Sequence, residues 1–239
     1  MATVLIVYAH PEPTSFSAAL VASAKTALEG AGHQVMVSDL YGEGFDPKAG
    51  RHDFTSVADA GRFHYQSEQA HAVREGAFCD EIAREQKRVA MADVLVPVFP
   101  LWWGAPPAIL KGWFERVLAY GFAYVDGARF DTGLFRGRRA LLAVTTGGTI
   151  ARFNAEGVYG EIDRVLWPVQ RLTLQYMGYE TEAPFVAYAA PRVSDEKRQI
   201  YLDEFARRVV AVAGKPVDRS LHVAQPLDLV PADAWSKAR

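Results

Sequence analysis

The sequence predicts an α/β domain built on a doubly wound parallel sheet, on three observations. Short β-branched apolar runs recur at residues 4–8, 35–37, 94–98, 140–144 and 185–188. Their hydrophobicity is nearly continuous rather than alternating, the mark of strands covered on both faces and therefore parallel. Helical patterns fill the intervals, at about 15–30, 78–91, 107–120, 158–177 and 195–213. Five strands alternating with five helices give a sheet with helices on both faces.

The first strand leads into Ala9-His10-Pro11-Glu12-Pro13-Thr14-Ser15-Phe16-Ser17 and then a helix. Thr14, Ser15 and Ser17 fall at or near its N-cap, where free backbone amides and the helix dipole attract an anion. Two readings stand: a phosphate grip, or ordinary capping by hydroxyls. His10 is equally two-sided, a donor to phosphate or a partner for a nearby carbonyl. The Gly-x-Gly-x-x-Gly turn of Rossmann dinucleotide sites is missing here, and no Gly-x-x-x-x-Gly-Lys-Ser/Thr occurs anywhere.

Between the second strand and the second helix, residues 42–75 make a connection far longer than the usual few residues. Its glycines break regular structure, yet Phe54, Phe63, His64 and Tyr65 give it apolar anchors. The expectation is a functional lid or a partner-binding arm rather than a disordered segment.

The third strand ends in Phe99-Pro100-Leu101-Trp102-Trp103-Gly104 and runs into a helix start at Pro107-Ala108-Ile109-Leu110-Lys111. In an open parallel sheet the C-terminal ends of the strands are where ligands bind. Adjacent indoles there suit a large flat ligand such as a flavin, although core or subunit-interface packing would also use them. The fourth strand ends in Thr145-Thr146-Gly147-Gly148. Paired glycines let the backbone approach a ring edge and aim amides at negative charge developing there, the physics of an oxyanion hole. A turn needing positive φ is the alternative. Hydroxyls, indoles and glycines thus sit on three loops at the same end of the sheet.

Pro168 falls inside the fourth helical pattern and should kink or split it. After the last helix the chain from Gly214 carries Pro216, Pro226 and Pro231 and reads as an extended tail, wrapping the domain or a second subunit. The division is therefore a domain at 1–213 and a tail at 214–239. Composition narrows the class. Lys plus Arg number 26 against 28 Asp plus Glu, a net charge of -2, so no global field favours nucleic acid or an acidic membrane. The lone Cys79 excludes an internal disulfide framework and a multi-cysteine metal site. No apolar run approaches the span of a bilayer, and the chain enters its first strand directly, so the expectation is a soluble cytoplasmic protein with no membrane insertion and no metal.

Phe99-Pro100-Leu101-Trp102-Trp103 followed by residues 107–117, with Ala9-His10, Thr14-Ser15-Phe16, Ser38-Asp39-Leu40-Tyr41, Phe122-Ala123-Tyr124, Thr145-Thr146-Gly147-Gly148 and Leu166-Trp167-Pro168, resembles the NAD(P)H:quinone oxidoreductases of the DT-diaphorase type. The likeness extends from the first strand to about residue 213. It implies a flavodoxin-like fold with strand order 2-1-3-4-5, a homodimer, and FAD bound at a site shared by both subunits. NAD(P)H and then a quinone occupy one pocket in turn, a ping-pong two-electron hydride transfer through the flavin.

By this resemblance His10, Thr14, Ser15, Phe16, Ser17, Pro100, Leu101, Trp102, Trp103, Gly104 and Thr145 through Gly148 (Thr145, Thr146, Gly147, Gly148) fall on cofactor positions. His64 stands in place of a glutamine, and Arg198 where an arginine reaches the adenylate part of FAD, favouring FAD over FMN. Tyr124, Asp126, Trp103 and Tyr176 lie on the substrate side, Asp126 replacing a second tyrosine. The family's tyrosine and histidine that take up charge beside the flavin are here Phe153 and Tyr159, so that Tyr159, Gly147 and Gly148 are left as the catalytic candidates. Phe153 has no hydrogen to donate, whereas Tyr159 keeps a phenol. Gly104 replaces a bulky aromatic and should widen the pocket. Hydride transfer depends mainly on placing flavin and nicotinamide face to face and should survive these changes. Quinones, and with them nitro- or azo-aromatics, are the expected acceptors. The rival readings are an FMN-dependent azoreductase-like enzyme and a non-enzymatic accessory subunit of a redox-regulated transporter.

Overall fold

The computed structural model describes residues 1–230. Its elements in chain order are β1 (Thr3–Tyr8), α1 (Phe16–Gly30), β2 (Gln34–Asp39), α2 (Tyr65–Glu75), α3 (Asp80–Met91), β3 (Val94–Pro100), α4 (Ala108–Val117), β4 (Arg139–Ala140), β5 (Ala143–Thr145), α5 (Ile162–Val169), β6 (Glu180–Thr181), β7 (Phe185–Ala187) and α6 (Asp195–Ala213). Every strand pairing is parallel.

The expected five strands are present as five lanes, but seven strands fill them. β2, β1 and β3 each occupy one lane, β4 and β5 share the fourth, and β6 and β7 share the fifth. The order is therefore the expected 2-1-3-4-5, with the last two lanes broken. Leu95 pairs with Ala140 and Val98 with Ala143, so the break in the fourth lane lies opposite Val96 and Pro97. Proline has no N–H for the ladder, which explains an interruption there. In the fifth lane one extra residue intervenes: Ala140 pairs with Thr181 but Ala143 with Phe185. Pro184 sits within that bulge.

Two cores flank the sheet because successive strand residues point to opposite faces. Leu5, Val7, Leu95, Phe99, Leu142 and Val144 face Trp113, Val117 and Leu110 of α4, with Val89 of α3 and Leu166 of α5. Val4, Ile6, Val96, Val98 and Ala143 face Leu20, Ala24 and Leu28 of α1, with Phe205 and Val209 of α6. Each large apolar side chain so buried contributes about 1.5–3 kcal/mol.

Two expectations need correction and a third gains detail. Residues 42–75 are an ordered insert: they contain a 3-10 turn at Arg51–Asp53 and the helix α2, whose Ala72 packs with Phe54, Ala77, Phe78 and Ile82 in a satellite core. A buried ion pair anchors the insert to α4. Arg116 Nε donates to Asp53 Oδ1 at 2.9 Å and Nη2 to the same oxygen at 2.7 Å, while the Tyr65 hydroxyl donates to Asp53 Oδ2 at 2.5 Å. Burial and the Asp53 carboxylate push the Tyr65 phenol up.

The fourth helical pattern is shorter than expected: α5 contains Pro168 and passes at once into a π-helical stretch, Gln170–Gln175. A wider turn just after a proline accommodates its missing hydrogen bond. The tail is not simply extended either. It forms 3-10 turns at Arg219–Leu221 and Pro226–Leu229 and packs Val223, Leu227 and Val230 against a cluster that includes Tyr120 and Leu134. Residues 231–239, which complete the expected tail and include Pro231, lie outside the described residues.

Candidate active site

β1 delivers the chain into a loop whose donors turn toward negative charge. Ser15 caps α1, its hydroxyl accepting from the Ala18 amide at 3.1 Å. The Thr14 amide and hydroxyl both donate to Glu12 Oε1, at 2.9 and 2.7 Å, and these bonds hold the Glu12 carboxyl below its usual range. A carboxylate of the chain itself thus shows what these donors prefer. The Glu12 amide donates to His10 Nδ1 at 3.0 Å, so this ring nitrogen is an acceptor, and the other nitrogen is left to carry the proton. The His10 ring lies 5.9 Å from that of Trp102.

The hairpin after β3 is unusual. Trp102 and Ala105 bond reciprocally, each amide donating to the other's carbonyl at 3.0 Å. Trp103 and Gly104 between them both have positive φ, 51° and 72°. Such a turn suits a glycine but costs a tryptophan about 1–2 kcal/mol of backbone strain. The Trp103 side chain is fully exposed as well. Strain joined to an exposed indole is what a recognition surface shows, not a core.

At the end of β5 the two glycines do different things, and neither has positive φ. A Cβ on Gly148 would lie 2.9 Å from Phe153 Cε2 and 3.3 Å from Tyr159 Cε2, so its hydrogen side chain permits close aromatic packing. A Cβ on Gly147 would meet only Arg192 Nη1, at 3.9 Å. The Gly148 carbonyl accepts from the Thr146 hydroxyl and the Ala189 amide, both at 2.8 Å. The amides of Gly147 and Gly148 donate to no acceptor among the described residues. They remain available to a ligand.

Two clefts meet at this point. One of about 760 Å³ is lined by His10, Thr14, Ser15, Phe16, Ser17, Pro100, Leu101, Trp102, Thr145, Thr146, Gly147 and Arg198. Arg198 is held there by the carbonyl of Ala190 at 3.2 Å and by the Asp195 carboxylate at 2.5 Å. The second, of about 590 Å³, shares Leu101, Thr146 and Gly147 and adds Trp103, Gly104, Gly148, Phe153 and Tyr159. Phe153 and Tyr159 have ring centroids 5.1 Å apart, and Arg152 Nη1 donates to the Tyr159 hydroxyl at 3.3 Å. Arg152 and Arg192 also line this second cleft, from positions that no motif marks.

The remaining candidates lie elsewhere in the chain. Tyr124 and Tyr176, ring centroids 6.1 Å apart, line a separate cleft of about 320 Å³ that shares no residue with the other two. Burial pushes the Tyr124 phenol up, and its hydroxyl accepts from Gln66 Nε2 at 3.1 Å. Asp126 is exposed and accepts from the Tyr120 hydroxyl at 3.1 Å. His64 is exposed at the start of α2, its Nδ1 2.8 Å from the Ser67 hydroxyl, and lines none of these clefts. Among the described residues no helix is long and apolar enough to cross a membrane, and no group of three or more His, Cys, Asp or Glu is placed to hold a metal ion.

Comparison with known proteins agrees with this architecture. A family model for the flavodoxin-like fold matches residues 2–211. The chain is 40% identical over 206 residues to NAD(P)H dehydrogenase [quinone] 1 of Cavia porcellus, covering 86% of this chain and 75% of that protein. It is 40% identical over 210 residues to ribosyldihydronicotinamide dehydrogenase [quinone] of Homo sapiens, covering 87% and 91%. A Klebsiella pneumoniae structure solved as a candidate quinone reductase superposes with a TM-score of 0.84 at 30% identity, covering 97% of this chain and 96% of that one. By fold and by sequence, this chain belongs to the NAD(P)H:quinone oxidoreductase family of flavodoxin-like enzymes.

Proposed function

We propose that the protein is an FAD-dependent NAD(P)H:quinone oxidoreductase working by ping-pong two-electron transfer. One observation carries the reading: the unpartnered amides of Gly147 and Gly148 stand where two clefts join, with Trp102 in one and Trp103 in the other. The residues fit a flavin. A flat ring finds indole and Leu101 along its path, and the glycine amides suit an electron-rich border. The donors at the start of α1 suit a phosphate, and the Thr14 amide and hydroxyl already hold one anion, the Glu12 carboxylate. Arg198 lines the same cleft as those donors, a second polar anchor that favours the longer dinucleotide over FMN.

When bound, the flavin supplies the acceptance and return of a hydride. The chain's own residues bind and orient it: hydroxyls and amides fix the phosphates, and Leu101 with Trp102 limits how the ring tilts. The amides of Gly147 and Gly148 stabilise negative charge at its edge. The Tyr159 phenol, which accepts from Arg152 and packs against Gly148, is positioned to share a proton there.

We further infer a homodimer. Tyr124, Asp126, Tyr176 and His64 are displaced from both joined clefts within one chain, as expected if a second copy brings them to the site. The strained, exposed Trp103 and the exposed Tyr159 and Trp167 provide apolar surface for such a contact. The test is the purified protein itself. Mass analysis of its released cofactor should give FAD, and size-exclusion chromatography with light scattering should give twice the chain mass. FMN as sole cofactor would favour the azoreductase-like reading, and a monomer would remove the shared site.

A further inference from the structure

The cleft of about 590 Å³ has walls of two chemistries. Trp103, Phe153, Tyr159 and Val165 form an aromatic and apolar slot, while Arg152 and Arg192 bring two guanidinium groups to its rim. No carboxylate lines it. Neither arginine has an ion-pair partner among the described residues; Arg152 donates only to the Tyr159 hydroxyl, and Arg192 Nη1 only to the Gly147 carbonyl. The Arg152 guanidinium also lies over the Tyr159 ring, 6.0 Å from its centroid. By contrast Arg198, in the neighbouring cleft, is paired with Asp195.

An arginine carries five N–H donors in a planar fork that matches a carboxylate or sulfonate, and one bond leaves most of them unused. Two cations facing a slot that their own chain lines with no carboxylate favour an anion, and aromatic walls favour a ligand that is otherwise flat and apolar. Phosphate groups of a dinucleotide would instead need polar walls, and the hydroxyl-rich loop of the other cleft already offers those.

We propose that this cleft is the acceptor side of the site and selects aromatic acceptors bearing a carboxylate or sulfonate, bound by Arg152 and Arg192. The proposal rests on the oxidoreductase reading above. The anionic group sits on the guanidinium rim while the reducible ring lies over the flavin edge held at Gly147 and Gly148. The substrate class is therefore anionic quinones and, by the same chemistry, carboxylated or sulfonated nitro- and azo-aromatics.

The experiment uses the flavin-loaded protein. The KM for 1,4-naphthoquinone-2-sulfonate is compared with that for 2-methyl-1,4-naphthoquinone at saturating NADH, and naphthalene-2-sulfonate, which cannot be reduced, is titrated by calorimetry against its neutral sulfonamide. The anionic member of each pair should bind about tenfold more tightly at low salt, as charge-assisted hydrogen bonds do, and the advantage should shrink as ionic strength rises. Arg152→Gln with Arg192→Gln should bring both ratios close to one, whereas Lys25→Gln, an exposed charge removed from α1, should leave them as they are. Equal binding of charged and neutral probes would overturn the proposal. So would a double variant that keeps the preference, or one that instead loses flavin or raises the KM for NADH. If neither quinone is reduced the oxidoreductase reading fails, and the naphthalene-2-sulfonate titration still decides whether the arginine slot binds anions.

Discussion

Ser17 Oγ lies 3.2 Å from Thr145 Oγ1, both hydroxyls buried, joining residues 128 apart in sequence. The bond ties the first turn of α1 to the end of β5, and with it the loop after β1 to the glycine loop. Thr145→Val keeps the shape but leaves the Ser17 hydroxyl without this partner. The expected loss is about 1–3 kcal/mol of stability, read by urea denaturation. Flavin affinity should fall with it, because the two loops no longer share a fixed register. Unchanged affinity and stability would show that the bond positions nothing.

Gly147 and Gly148 should respond differently to one methyl group. Gly148→Ala drives a Cβ into the Phe153 ring at 2.9 Å, so Phe153 and Tyr159 must shift and thermal stability should drop. Gly147→Ala meets nothing closer than 3.9 Å and should fold normally while weakening flavin binding, since the methyl enters the space near the free amides. Circular-dichroism melts beside flavin titrations separate the two effects.

Trp103 pays for its position in backbone strain. Trp103→Gly relieves the left-handed φ of 51° and removes an exposed indole. The flavin-free protein should therefore melt at the same temperature or higher, despite the loss of a large side chain. Dimer dissociation and flavin release should both become easier, measured by sedentation equilibrium in a dilution series and by fluorescence of released flavin. A large fall in flavin-free stability would instead make Trp103 a structural residue.

Asp53 fixes the insert onto α4. It accepts from Arg116, Tyr65 and the Gly50 amide, the last at 3.1 Å. Asp53→Asn removes one of the two carboxylates paired with the buried Arg116, leaving the Glu81 pair, and should cost about 1–3 kcal/mol. Chemical denaturation with a probe on the insert, such as proteolysis near Gly61, should show this segment opening first.

The tail is held in part by Asp93. Burial opposes its charge, but the Arg219 guanidinium, donating at 2.8 Å, the Thr3 amide and the nearby Arg138 together hold its carboxyl below the ordinary range. A folded-state value below the unfolded one stabilises the fold above the unfolded pKa, about 3.9. That stability disappears as pH falls through the lower folded value. Arg219 is largely exposed, so Arg219→Gln should cost no more than about 1 kcal/mol near neutrality. The difference between wild type and variant should close as the solution is acidified below the carboxylate range.

Much of this architecture was legible because its signals are local. The runs at 4–8 and 94–98 are apolar on both faces, and Ser15 before an apolar helical pattern announces the start of α1. α2 is hidden because its sequence, Tyr65–Glu75, is largely polar, and its buried Glu68 and Gln69 take partners outside the helix, the Ala58 amide and the Glu115 carbonyl. The break in the fourth lane depends on Pro97, a residue of the neighbouring strand, and no reading of 140–144 alone could find it. In the site, hydroxyls, indoles and glycines at three strand ends marked one end of the sheet. Arg152 and Arg192 escaped because an arginine in a loop carries no pattern, and only the fold brings both to one slot. Tyr124 and Tyr176, both expected on the substrate side, pair with each other in a cleft apart from Trp103.

The claim beneath all of this is that the joined clefts around Gly147 hold a flavin that passes electrons from NAD(P)H to a quinone. Anaerobic spectroscopy of the purified protein tests it most directly. A yellow protein that bleaches on addition of NADH and regains its colour with a stoichiometric quinone is the predicted result. A protein that stays colourless after incubation with FAD and with FMN would contradict it.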